Sequence, residues 1–150
     1  MTDQGYAETL RISTSDEIGS LPAGDYVLGD PGYSVSDPVW MLMVEALGDL
    51  RSGQVTVELP DNSSFTGLFF SPYDGDGVYG IRDSDVELPV DSGLLALLPE
   101  KLLQIVGKDP ESYARLTTRI ESDYEITTSD TDGYFIIRAN EDHAVSLGNL

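Results

Sequence analysis

Apolar and polar residues alternate along most of the chain. Leu10 and Ile12 are separated by polar neighbours, and Val55, Val57 and Leu59 alternate with Thr56 and Glu58, the two-residue period of strands that bury one face. Turn residues cut the remainder into similar short pieces, which predicts strands at 26–29, 65–71, 78–82, 86–90 and 94–97. Segments 116–121, 124–128, 134–138 and 144–147 read as a C-terminal antiparallel run, with Asp132-Gly133 supplying the residues of a tight hairpin turn.

Two segments switch to the helical period. The first has Ser36 or Asp37 as N-cap and Pro38 in the first turn, where a missing N–H costs nothing. It is expected to run over 38–51 until Gly53 stops it. Val39, Trp40, Met41, Leu42, Met43, Val44, Ala46, Leu47 and Leu50 leave this helix a polar stripe of only Glu45, Asp49 and Ser52. A helix so apolar has to be covered on more than one side, either by a sheet wrapped around it or by a partner. The second helix, 99–106 with Gly107 at its end, is short and amphipathic. The expected fold class is therefore α+β: a curved, mainly antiparallel sheet of eight or more short strands with one main and one short helix. A chain of 150 residues can bury one self-sufficient core, so 1–150 is expected to form a single domain, with 1–8 as a flexible tail.

Charge narrows the partners. Eight Lys plus Arg against 27 Asp plus Glu leave a net charge of −19, which repels phosphate backbones and anionic lipid and argues against direct nucleic-acid binding. The longest apolar run, Leu94 to Leu98, falls far short of the roughly 20 residues of a membrane-spanning helix, and no basic start with a secretory apolar run follows Met1. A cytoplasmic protein with no membrane partner is the expectation. Asp outnumbers Glu 17 to 10, and Lys101 and Lys108 are the only lysines. Short, densely hydrated carboxylates suit concentrated salt, where the screening length falls to about 3 Å at 1 M and an acidic surface stops repelling itself. This composition points to a halophilic archaeon or its virus. The alternative is a DNA mimic that inhibits a DNA-binding enzyme, which would need carboxylates in a row at about the 3.4 Å phosphate repeat or a small multiple of it.

Candidate chemistry is sparse. The absence of cysteine removes disulfides, thiolate nucleophiles and thiolate-held metals. His143 is the only histidine, and with Asp142 and Ser146 near the C-terminus it reads as a surface side chain rather than a general base. Gly32-Tyr33-Ser34-Val35-Ser36 lacks the last glycine of a nucleophile elbow. Asp74, Asp76, Asp83 and Asp85 form the best candidate for a hard cation such as Ca2+ or Mg2+, which take carboxylate oxygens. Val78 and Tyr79 stand where the calcium-loop pattern needs a ligand and a glycine, and Asp-Gly-Asp-Gly also makes a tight turn without any ion. A metal-assisted hydrolase using the 74–91 region is the remaining enzymatic alternative. Asp30-Pro31-Gly32-Tyr33 is expected to form a type II turn with Gly32 at positive φ and Asp30 bonding the backbone that follows.

Gly29-Asp30-Pro31-Gly32-Tyr33, Gly75-Asp76-Gly77-Val78-Tyr79 and Val90-Asp91-Ser92-Gly93 carry a resemblance. In their order and rough spacing over residues 21–148 they resemble a loose group of small uncharacterised proteins of prokaryotes and their viruses. That group has Gly-Asp-Pro-Cys-Tyr, Gly-Asp-Gly-x-Tyr and Val-Asp-x-Gly elements. Gly32 replaces the group's Cys, so any thiol role is lost here. The resemblance implies one β-rich unit in which Asp30, Asp76 and Asp91 lie close together, and it implies no activity. The function expected is thus a non-enzymatic acidic binding or assembly protein. It would meet a protein partner or a second copy at an apolar patch of Trp40, Met41, Met43 and Val44.

Overall fold

The computed structural model describes residues 10–16, 20–48, 52–70, 77–81, 87–122, 125–131, 134–140 and 143–149. In chain order the elements are β1 (Arg11–Ser15), β2 (Gly24–Gly29), α1 (Pro31–Ser34), α2 (Asp37–Leu47), β3 (Ser52–Glu58), β4 (Ser64–Phe70), β5 (Gly77–Ile81), β6 (Glu87–Val90) and β7 (Leu95–Pro99). Helices α3 (Glu100–Val106) and α4 (Pro110–Tyr113) follow, then β8 (Thr117–Ser122), β9 (Thr127–Thr131), β10 (Tyr134–Asn140) and β11 (His143–Asn149). The fold is α+β, and every strand pairing within its sheets is antiparallel. The strands divide between two sheets, ordered β1-β3-β4-β7-β2-β8 and β6-β5-β11-β10-β9. Tyr134 pairs with Thr131, as expected for the Asp132-Gly133 hairpin.

The division follows from the sequence of β7. Leu95, Ala96, Leu97 and Leu98 are all buried, so this strand has no face to offer to water. Leu95 and Leu97 join Tyr26, Leu28, Leu68 and Phe70 in a core completed by Leu88 and Val90 of β6. Ala96 and Leu98 join Phe69 in a second core, closed by Val39, Met43 and Leu47 of α2 and by Leu102, Leu103 and Val106 of α3. The six-stranded sheet is therefore a middle layer, with helices against one face and β6 of the other sheet contributing to the core on its opposite face.

Towards the β1 end only the helix side is apolar. Val55 and Val57 are buried beneath α2, and Ile12 packs against the same core. On the reverse side Arg11, Ser13 and Ser15 lie in register with Glu58, Thr56 and Gln54. Thr14 Oγ1 donates to the carbonyl of Ala46 at 2.9 Å and ties β1 to α2.

Helix α2 departs from expectation in two ways. It ends at Leu47 rather than near residue 51, because Gly48 takes φ 54° and its N–H caps the Val44 carbonyl. Gly53, expected to stop the helix, serves a different purpose: it lies in β3 at φ 153°, and a Cβ there would stand 1.9 Å from the Ser15 carbonyl oxygen. The helix is also covered on one side only, since the second sheet lies across the middle layer from it. Met41 is left 67% exposed and Val44 44% exposed. Helix 99–106 appears as Glu100–Val106, with the Gly107 N–H bonded to the Leu103 carbonyl at 2.8 Å. The sequence reading missed α1 and α4. Both start from an Asp-Pro pair whose aspartate caps the turn, Asp30-Pro31 and Asp109-Pro110.

The two glycines should respond differently to alanine. Gly53→Ala combines a backbone collision with unfavourable φ and is expected to cost about 3 kcal/mol in urea unfolding. Gly48→Ala, where a Cβ meets nothing within 4 Å, should lose only the conformational part, about 1 kcal/mol.

Candidate functional site

Asp30 lies between β2 and α1 and is 1% exposed. A buried carboxylate is tolerated only when its oxygens are occupied by donors. Here Oδ1 accepts from the Gly32 N–H at 2.8 Å and from Ser92 Oγ at 2.6 Å. Oδ2 accepts from the N–H groups of Asp91 at 2.7 Å and Ser92 at 2.8 Å. An ionised carboxylate has about four acceptor positions, and all four are used. Asp30 thus caps α1 and, through the same group, holds the 91–93 bend between β6 and β7.

Other bonds fix α1 from the opposite side. The Ser36 N–H donates to the Val106 carbonyl at 2.9 Å, and the Lys108 N–H to the Ser34 carbonyl at 2.8 Å. Lys108 Nζ donates to the Gly32 carbonyl at 3.1 Å and pairs with Asp37 at 3.1 Å. The Tyr33 hydroxyl donates to the outward-facing carboxylate of Asp91. A narrow crevice beside this cluster is lined by Pro31, Trp40, Met43, Leu47, Leu94 and Leu98 among other apolar side chains. It presents no polar side chain, so it has nothing to orient a polar substrate.

The expected type II turn at Asp30-Pro31-Gly32-Tyr33 is replaced by a helical turn. Gly32 is absent from the positive-φ positions, while the predicted bond from the Gly32 N–H to Asp30 is present. Proline preset near φ −65° suits the first helical position as well as it suits a turn, which is why the two readings could not be separated locally. A side chain at position 32, where the resembling group has Cys, would begin 3.1 Å from Asp30 Oδ1. Of the three aspartates expected together, Asp30 is bonded to the backbone of Asp91, and Asp76 lies outside the described residues.

The proposed cation ligands Asp74, Asp76, Asp83 and Asp85 also lie outside the described residues. Among the described residues no three His, Asp or Glu side chains converge as a metal site. Backbone is described for His143 and Ser146 in β11, whereas Asp142 falls outside. The four residues expected to form an apolar patch separate. Met43 is buried in the helix-side core, Trp40 packs partly against that core, and Met41 and Val44 face outward. The helical period carries this distinction, since Val39, Met43 and Leu47 recur at four-residue spacing while Met41 and Val44 fall on the other side. No helix among the described residues is long and apolar enough to cross a membrane.

Removing the charge of Asp30 tests its role as a latch. Asp30→Asn turns an amide N–H2 towards donor groups and should cost about 3 kcal/mol, whereas Ser92→Ala, which keeps the backbone bond, should cost about 1 kcal/mol; chemical unfolding measures both. The N-cap of α2 predicts the reverse behaviour. Ser36 Oγ is buried without a hydrogen-bond partner and makes no capping bond. Ser36→Ala should therefore leave stability within about 0.5 kcal/mol or raise it, against the loss of about 1 kcal/mol usual at an N-cap. Compared with known proteins, the chain matches no family model, no curated protein sequence and no solved structure.

Proposed function

We propose that this chain is a non-enzymatic acidic binding or assembly protein built to work in concentrated salt, as in the cytoplasm of a halophilic archaeon or of the host of its virus. The observation that carries the reading is the placement of its acids. Asp37 and Glu45 on α2, Asp61 in the β3–β4 hairpin, Glu87 on β6, Asp109 before α4 and Glu121 on β8 are all exposed, on separate elements of both layers flanking the middle sheet and of that sheet itself. Such a spread favours hydration of the whole body over a DNA-like row, and it leaves Asp30 as the buried exception, committed to structure. Arg119 collects three of the carboxylates, Asp25, Glu100 and Glu121, in a half-exposed cluster that contributes little to stability. Binding on this reading uses surface that the acids leave open, including the exposed Met41 and Val44 of α2.

Circular dichroism across a KCl series tests the salt requirement. Thermal stability should climb steeply as salt rises towards molar concentration, because screening removes repulsion among the exposed carboxylates. A protein equally stable in dilute buffer would overturn the proposal.

A further inference from the structure

The edges of the two sheets are not alike. An edge strand offers unpaired N–H and C=O groups to any passing strand, and folds guard such edges with charge, proline or cover. Edge strand β6 carries Glu87 and Pro89, β9 carries Asp130, and β8 carries Arg119 and Glu121 within the ionic cluster. Edge strand β1, Arg-Ile-Ser-Thr-Ser, has neither proline nor carboxylate. Its one charge, Arg11, stands opposite Glu58 in register. The strands behind it continue the pattern: across β1, β3 and β4 the only acid is Glu58, although the whole chain carries 27.

We infer that β1 is a self-association edge, pairing antiparallel with β1 of a second copy to join two six-stranded sheets into one. This deepens the assembly reading above by naming the partner. Charge selects that partner. Two bodies of net charge −19 can approach closely only where neither presents carboxylates, and this end of the middle sheet is such a surface. With the two five-residue strands fully aligned, Ser13 meets Ser13 of the second copy and each Arg11 meets Ser15, so no like charges face each other. On the face away from α2, Ser13 is in register with Thr56 and Thr56 with Thr66. The Thr56 and Thr66 hydroxyls already stand 3.1 Å apart, so the pairing extends one hydroxyl row across both copies. Ile12 and Leu10, only partly buried against the helix-side core, gain cover at the same junction.

The absence of native cysteine makes the test specific. Residues directly opposed in an antiparallel pair have Cα atoms about 4.5–5.5 Å apart, within the range a disulfide spans. In about 1 M KCl, Ser13→Cys should therefore oxidise to a covalent dimer, while the exposed control Gln104→Cys on α3 should not. Sedimentation of the unmodified chain should give a dimer mass, and Ser13→Asp, which sets two carboxylates face to face, should give a monomer with an unchanged circular dichroism spectrum. A monomer mass at every protein and salt concentration would overturn the inference. So would a dimer that resists Ser13→Asp and is dissolved by Met41→Asp, which would move the contact to α2. The assembly reading falls with the first of these results and survives the second; a stability that rises with KCl in a strictly monomeric chain leaves the hydration argument standing while this interface fails.

Discussion

A strand that is apolar at every position has to be buried on both faces, and β7 imposes that requirement on the whole molecule. Its leucines alternate between two cores, and its neighbours β2 and β4 follow the same alternation through Tyr26, Leu28, Leu68, Phe69 and Phe70. Neither side can be left to water, so helices close one face and the second sheet contributes to closing the other. The position of α2 follows: it serves one face of the middle sheet and leaves its own outer flank exposed. The character of β1 and β3 follows as well, because they lie beyond the doubly buried centre and need be apolar on one face only.

Asp30 joins parts that hydrophobic burial alone would leave loosely related. Its four bonds connect the end of β2, the first turn of α1 and the bend leading from β6 of one sheet into β7 of the other. A carboxylate can do this because it accepts from several directions at once, and burial strengthens each bond by removing competing water. The same saturation removes it from chemistry. An aspartate with every acceptor position filled is neither a free base nor a ready cation ligand, so the most sheltered acid in the chain is a structural one. The acids that remain belong to the surface and set how this body meets solvent and other molecules.

Much of the fold was legible because it rests on local rules. Two-residue alternation located the strands, Ser36 with Pro38 and the Gly107 stop located both longer helices, and Asp-Gly located the β9–β10 hairpin. The short helices α1 and α4 were missed although their Asp-Pro starts are the same kind of signal as the one that marked α2. Four residues are too few to show a helical period, and proline at the second position fits a turn equally well. The end of α2 was misplaced because two glycines competed for the role. Gly48 ends the helix by its backbone angle, while Gly53 answers to the close approach of Ser15, a residue 38 positions earlier that no local pattern could reveal.

By itself the sequence determined which residues are apolar and at what period, hence the antiparallel α+β class, and it determined a charge that excludes whole families of partners. Tertiary structure alone decided how those elements were shared out: two sheets rather than one, a main helix covered on one side, Met43 in the core beside an exposed Met41, and Asp30 filled by donors from a bend 61 residues away. The physical reason is range. Periodicity and capping act within a few residues and are written in the order of the chain, whereas burial and hydrogen-bond saturation depend on which distant surfaces meet, and only the folded chain brings them together.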